Sequence, residues 1–420
     1  MMMPSIVLNS FRSTHQLDIP PSEEEVKKAI SQLSNGKSPV LIAEEIYSAS
    51  SHQLTSKLTE LFNTMWEQEK IPQQLKDATI IHLYKRKGNR QACDNHRGIS
   101  LLPISGKVLA RVMLNRLQEH LESGLLPDTQ CGFRKGRGTI DMVFAARQIH
   151  EKCREQHMDL YTTFDDLTKA FDTVSREGLW RIMAKFGCPP KFINMVRQFH
   201  DGMHASVQEA GDNSKPFPVT NGVKQGCVLA PTLFSIMFTA MLSDAFREED
   251  CGIEFKYRTD CSVFGNTVKL KAKTKVMVDI IRDLLFADDC ALNAHSEPEM
   301  QRSMDLFSAA CRDFGLTIST KKTEVLYQPA PGKVYKAPSI AVEGETLKPV
   351  QKFIYLGSTI SANVSVDDEV NRRIAQASAA FGGLHKNVWT RRGLSLATKL
   401  EVYHAVVIPS LLYSSESWTV

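Results

Sequence analysis

Nine cysteines are scattered through 420 residues, none spaced as Cys-x-x-Cys, and their number is odd. That usage argues against a disulfide framework or a zinc knuckle within the stretch, so a reducing, intracellular compartment is the expectation. No apolar run reaches the roughly 20 residues that cross a bilayer. Residues 1–13 also lack a basic region followed by a long apolar one, so neither membrane spanning nor secretion is supported. An excess of one charge is lacking too. The 51 Lys and Arg against 47 Asp and Glu leave a net charge of +4, too small by itself to announce a nucleic-acid partner. No internal repeat is visible.

What is there is a globular composition, 42% apolar and 23% charged, in a chain long enough for two or three subdomains. Its positive charge comes in clusters: Lys85-Arg86-Lys87 with Arg90, Arg134-Lys135 with Arg137, and Lys269, Lys271, Lys273 and Lys275. On a strand these last four share one face. They either track a nucleic-acid backbone or guard an exposed sheet edge.

The stretch from Asp279 to Leu292 organises the reading. Leu284 to Ala287 is too short for a helix and is bounded by charge, so it reads as a buried strand, and Cys290-Ala291-Leu292 can return beside it. Asp288-Asp289 then tip a hairpin. Adjacent carboxylates on a rigid turn suit a hard cation such as Mg²⁺, which takes oxygen ligands and is completed by water and substrate phosphates. A polar turn is the plain alternative, and Asp-Asp occurs three times in the chain, at 165–166, 288–289 and 367–368.

Ahead of that hairpin, Ser22 and Glu25 form a capping box for a short helix ending near Gly36. Apolar spacing predicts helices over 54–66 and from Gly106 to about 121. Residues 78–84 are β-rich and deliver the cluster at Lys85. The segment 130–139 packs three glycines and three cations, Arg134 and Arg137 among them, into ten positions. It suits close approach to a phosphate backbone, or is simply a flexible basic loop. Residues 160–164 read as a strand ending in Asp165-Asp166, followed by one helix through Ala170, Phe171, Val174, Leu179 and Ile182. Pro231 starts a helix, 232–246, so apolar on all sides that it must be buried. Past the hairpin, Ser296 and Glu299 cap a helix closed by Gly315. Residues 316–318 and 324–327 read as strands around Lys321-Lys322, and 353–357 as a strand meeting a tight turn. After Asp367-Asp368-Glu369, read as an acidic first helical turn and not as metal ligands, the pattern is helical almost to Val420.

Asp166 and Asp288-Asp289 lie more than a hundred residues apart, yet a compact sheet could gather all three. Clustered carboxylates demand cations, and two ions about 3.5–4 Å apart can activate an attacking oxygen and stabilise a leaving one. The chemistry implied is phosphoryl transfer.

Three segments, in order and spacing, carry a resemblance: Thr163-Phe164-Asp165-Asp166-Leu167-Thr168-Lys169-Ala170-Phe171-Asp172, then Asn221-Gly222-Val223-Lys224-Gln225-Gly226, then Phe286-Ala287-Asp288-Asp289. They resemble the palm motifs of reverse transcriptases of non-LTR (LINE-type) retrotransposons. Residues 85–88, 95–102, 130–139, 315–316, 321–324 and 353–358 agree, and the likeness covers roughly 60–420.

The resemblance implies an α+β right-hand polymerase. It divides the chain into an irregular tail over 1–20, fingers over 21–158 and a palm over 159–330, an antiparallel sheet backed by helices. A palm end with a primer-grip hairpin follows over 331–365, then a partial helical thumb over 366–420. It further implies that Asp166, Asp288 and Asp289 hold two Mg²⁺ ions joining a primer 3′-hydroxyl to the α-phosphate of an incoming dNTP on an RNA template with a DNA primer. Phe171 would exclude a ribose 2′-hydroxyl, and Gln225 and Gly226 would line the nucleotide and template pocket. Lys85 or Lys87, with Arg97, would meet the triphosphate, and Lys322 would protonate the pyrophosphate leaving group. Leu356 and Gly357 form the primer-grip turn, and a nuclear site of action is implied.

The chain departs from the family pattern in three places. Asp165 stands where an apolar residue is usual, and strand alternation turns it to the face opposite Asp166, where a buried charge costs several kcal/mol. Residues 35–41 lack the Pro-Gly-x-Asp-Gly loop. Neither an endonuclease domain nor a terminal Cys/His cluster is present, so an endonuclease domain is expected elsewhere in a parent element. An RNA-directed DNA polymerase is the first reading, and a catalytically inactive remnant that folds and binds nucleic acid is the alternative. An RNA-dependent RNA polymerase is disfavoured by Phe171.

Overall fold

Capping and apolar spacing shape the elements along the chain. Ser22 accepts the Glu25 N–H at 3.3 Å while its own N–H donates to the Glu25 carboxylate at 2.8 Å, starting α1 (Glu23–Ser31), which buries Val26, Ala29 and Ile30. Helix α2 (His52–Gln68) stops ahead of Pro72. Then follow β1 (Ala78–Tyr84), β2 (His96–Leu101), α3 (Ile104–Leu121), α4 (Thr139–Glu155), β3 (Leu160–Asp165), α5 (Arg176–Lys185), α6 (Pro190–Gln198), β4 (His204–Glu209) and α7 (Ala230–Ala245). The remainder holds β5 (Ile253–Arg258), β6 (Val276–Ile281), β7 (Asp283–Phe286), β8 (Asp289–Ala294), α8 (Glu297–Asp313), β9 (Glu324–Gln328), β10 (Lys348–Val350), β11 (Lys352–Tyr355), β12 (Ser358–Ser361), α9 (Asp367–Gly383), α10 (Leu396–Val402) and α11 (Ile408–Leu412). This structure, a computed structural model, describes residues 15–33, 47, 52–86, 88–122, 124–209, 211–224, 226–247, 249, 251–258 and 276–418. Lys87, Gln225, residues 35–41 and the lysines at 269, 271, 273 and 275 lie outside the described residues.

The chain divides into two units. The first comprises Met1–Lys135, Leu167–Arg247 and Ala309–Thr317. In it β1 pairs antiparallel with β2, Ile81 opposite Ile99, and parallel with β4. Its core includes α7, whose residues from Thr232 to Leu242 are all buried, the outcome expected for a helix apolar all round.

The second unit comprises Gly136–Asp166, Glu248–Ser308 and Ile318–Val420. Its main sheet runs β10-β9-β3-β8-β7. The expected antiparallel arrangement holds for every pair except β9 with β10, which is parallel. All six residues of β3 are buried, as befits a central strand. One face of β3 meets α8, where Thr163 Oγ1 lies 3.4 Å from Met304 Sδ. The other face meets the β11–β12 hairpin: Phe164 stacks on Phe353 with ring centroids 3.8 Å apart.

Mixed helices and sheets bear out the α+β class. Three local expectations are corrected. The helix read across 170–182 is broken, because Val174 leaves the helical region at a ψ of 124° and Ser175 caps α5 by accepting the Gly178 N–H. Residues 316–318 form no strand. Thr317 O accepts Thr168 N–H, while Ser319 N–H is spent on Asp166 O. The helical end is also interrupted, by turns after α9 and before α10. The β5–β6 hairpin was not read from the sequence. Among the described residues no helix is long and apolar enough to cross a membrane.

Candidate active site

Strand pairing brings the distant carboxylates together. Asp165 stands opposite Cys290 in the β3–β8 ladder, so Asp166, the next residue, leaves the strand beside Asp289, the first residue of β8. The β7–β8 turn is Ala287-Asp288, with Ala287 at a φ of 59°. Three acidic side chains on neighbouring strands, with Asp166 more than a hundred residues from Asp288-Asp289 in the chain, therefore share one end of the sheet. Lys322 Nζ donates to Asp166 Oδ1 at 2.7 Å. Thr323, next to it, accepts the Asp166 N–H through Oγ1 at 3.3 Å. Thr323 was missed in the sequence, where nothing marks a threonine that steadies a strand end from another strand.

Asp289 is exposed by surface area, yet its carboxyl is pushed up to about 6, by desolvation first and then by the negative charges of Asp288 and Asp166. The repulsion weighs more in our reading, because an exposed carboxylate keeps part of its hydration. Among the described residues no three His, Cys, Asp or Glu side chains already form a metal-holding cluster, Asp166 being turned to Lys322. The donor set nonetheless fits a hard divalent cation: the ligand atoms are carboxylate oxygens, and their mutual repulsion is what such a cation relieves.

Asp165 faces the other way, as strand alternation predicts. It is buried, receives a hydrogen bond from Thr163 Oγ1 at 3.1 Å, and leaves Oδ1 without a partner. Burial pushes its carboxyl up to about 7, which lowers the cost of keeping a carboxyl where an apolar residue is usual.

The remaining sequence-predicted residues fall in both units. In the first, Lys85 and Arg97 are exposed on the β1–β2 hairpin, where Lys85 Nζ donates to Asp94 O at 2.9 Å. Phe171 is half-buried against Phe234, with centroids 4.8 Å apart. Gly226 has a φ of 107°, and a Cβ there would stand 2.6 Å from Ser100 O, so only glycine lets this loop close on β2. Arg134 is not free to meet a phosphate. Its guanidinium donates to both Glu122 oxygens and to the carbonyls of Pro127 and Gln130, which makes it the anchor of its own loop. In the second unit Arg137 is exposed, and Leu356 and Gly357 form the turn of the β11–β12 hairpin. That hairpin lies over the face of β3 that carries Phe164 and Asp166, and Tyr355 OH donates to Leu284 O at 3.4 Å.

Residues 84–360 match the family model described as reverse transcriptase (RNA-dependent DNA polymerase). Over 416 residues the chain is 26% identical to an RNA-directed DNA polymerase from the mobile element jockey of Drosophila melanogaster, covering 96% of this chain and 42% of that protein. It is 23% identical over 293 residues to the retrovirus-related Pol polyprotein from the type-1 retrotransposable element R2 of Nasonia vitripennis, covering 70% and 25%. A solved structure of apo telomerase from Candida tropicalis, truncated from its C-terminal domain, aligns with 74% of this chain and 59% of that one at 13% identity and a TM-score of 0.44. The chain spans less than half the length of the two curated relatives.

Proposed function

This chain belongs to the reverse transcriptase (RNA-dependent DNA polymerase) family, and from that premise we propose that it is an RNA-directed DNA polymerase extending a DNA primer with dNTPs on an RNA template. The observation that carries the reading is the meeting of Asp166 with Asp288 and Asp289 at one end of the β3–β8 ladder. Asp166, Asp288 and Asp289 are the side chains to hold divalent metal, two Mg²⁺ ions in this proposal. When bound, the metal would supply a lowered pKa at the primer 3′-hydroxyl and neutralise charge on the leaving oxygen.

The protein's own residues do the rest. Lys322, whose Nζ donates to Asp166, is proposed to pass a proton to the departing pyrophosphate as the phosphodiester forms and the α–β phosphoanhydride breaks. Lys85, with Lys87, is proposed to meet the triphosphate as a point charge and Arg97 as a planar fork. Phe171, in contact with Phe234, is proposed as a wall against a 2′-hydroxyl, and Gln225 and Gly226 are proposed to line the nucleotide and template pocket. Arg137 is proposed to meet the nucleic-acid backbone, with Arg134 shaping the loop. The fingers, palm and thumb divisions, the endonuclease domain and the nuclear site of action belong to the same proposal.

The test is extension of a labelled DNA primer on RNA with Mg²⁺ and dNTPs. Asp288→Asn should abolish incorporation while preserving the fold, and Phe171→Ala should admit ribonucleotides. Equal incorporation by native chain and Asp288→Asn would sink the assignment.

A further inference from the structure

The Leu356-Gly357 turn has an unfavourable conformation and an unusual amount of support. Two-residue hairpins of this kind ask for positive φ at both central residues and favour Asn-Gly. Here φ is 45° at Leu356 and 82° at Gly357, and a bulky residue in the left-handed region persists only where its surroundings over-determine it. Three side chains from the C-terminal helical segment do so. Tyr413 OH donates to Leu356 O at 2.8 Å. Arg372 Nη1 donates to Gly357 O at 2.9 Å, and Arg373 Nη2 donates to the same oxygen.

The supports are themselves held. Arg373 lies over the Tyr413 ring, 4.5 Å from its centroid. Buried Glu369 accepts from Arg373 Nε at 2.5 Å and from the Thr359 N–H at 2.6 Å. Thr139, at the start of α4, stands 2.9 Å from Tyr413 OH. With that hydroxyl donating to Leu356 O, Thr139 must donate to Tyr413, a directed relay from helix to turn. These contacts end on the backbone carbonyls of the turn's two central residues, Leu356 and Gly357.

We propose that Tyr413, with Arg372 and Arg373, is a positioning group for the primer strand: it locks the Leu356-Gly357 turn in the shape that receives the primer end. This rests on the reading of that turn as the primer grip. Neither arginine nor the tyrosine touches the reacting atoms. They act by keeping the turn from exchanging with the negative-φ conformations that a leucine otherwise favours.

The experiment pairs Tyr413→Phe, which keeps the ring under Arg373 and removes only the hydroxyl, with Gly357→Ala in the turn itself. Hydrogen exchange of the 352–361 amides and anisotropy titration with a recessed RNA–DNA primer-template are read alongside the single-nucleotide extension rate. Tyr413→Phe should speed turn exchange about tenfold and weaken primer-template binding about fivefold, the worth of roughly one hydrogen bond. The extension rate at saturation should stay within about twofold and the melting temperature within about 2 °C, an effect confined to one turn. Thr139→Val should give a smaller shift in the same direction, and Thr139→Ser should restore it. Unchanged turn exchange in Tyr413→Phe overturns the inference, and so does faster exchange with native affinity while Gly357→Ala binds weakly. A common fall in rate and melting temperature reduces Tyr413 to a structural residue and overturns it as well. If neither variant alters binding, the primer-grip reading fails first and the inference falls with it.

Discussion

In the β7–β8 hairpin a two-residue turn puts Ala287 at a φ of 59°, and in the β11–β12 hairpin another puts Leu356 at 45°. Both lie in the second unit, over or beside β3, and both present their tips at the same kind of strained backbone. They are finished in opposite ways. At the first, desolvation and the neighbouring charges of Asp288 and Asp166 push the Asp289 carboxyl up to about 6. At the second, two carbonyls are met by three donors, one of which, Arg373, is anchored by the buried carboxylate of Glu369. A hairpin whose charges repel is unfinished without a cation, and a hairpin whose acceptors are filled is a fixed surface. On the proposed reading, the contrast separates a site of chemistry in the main sheet from a site of alignment in a hairpin packed against it.

The comparison breaks most visibly at Glu369. Its carboxylate is buried, and although burial pushes its pKa up, the Thr359 N–H and Arg373 bring it below the ordinary value. Glu369→Ala strands the Arg373 guanidinium among buried atoms and is expected to cost about 3 kcal/mol, the lower end for breaking a buried pair. Urea denaturation measures it. A loss below about 1 kcal/mol would mean that the second hairpin is held without its ion pair, at the level of an exposed bridge. The next effect is smaller and opposite in sign. Asp165→Val should stabilise the chain by about 1–2 kcal/mol, because it removes a buried oxygen with no hydrogen-bond partner. A destabilised variant would show that Asp165, too, belongs to a satisfied network.

The difference between the hairpins also divides what the residues betray from what they hide. The acidic tip was legible because it depends on local signals: a short apolar run, two aspartates, and a return strand. The meeting with Asp166 was legible as a possibility, since strand alternation separates Asp165 from Asp166 whatever the pairing. Which strand would lie beside β3 was not, for register depends on contacts remote in sequence. The support of Leu356-Gly357 left almost no trace. Glu369 and Arg373 are a readable i,i+4 pair, but their convergence with Tyr413, and through it with Thr139, 274 residues before that tyrosine, exists only once the helices pack. Arg134 shows the same limit from the other side. A cation among glycines reads as a phosphate contact, whereas Arg134 spends four N–H bonds on Glu122 and on the Pro127 and Gln130 carbonyls.

The smallest effect is the sharpest test of the first hairpin. If like charges hold Asp289 protonated toward pH 6, replacing a neighbour by its neutral isostere must lower that pKa, since the ionised form loses a repulsion it had to overcome. Asp288→Asn should lower it more than Asp166→Asn, because Asp288 is the stronger of the two neighbouring charges. Carbon-13 NMR titration of the metal-free protein reads this directly. Were desolvation alone responsible, neither variant would move the titration. Adding Mg²⁺ supplies the opposite charge, so the native titration should shift downward as the ion competes with the proton for the same oxygens. That shift should vanish in Asp288→Asn if the adjacent aspartates bind the ion together. An Asp289 titration indifferent to Mg²⁺ would leave the carboxylates converged but without the cation that their repulsion calls for, and the contrast with the filled hairpin would then be one of packing alone.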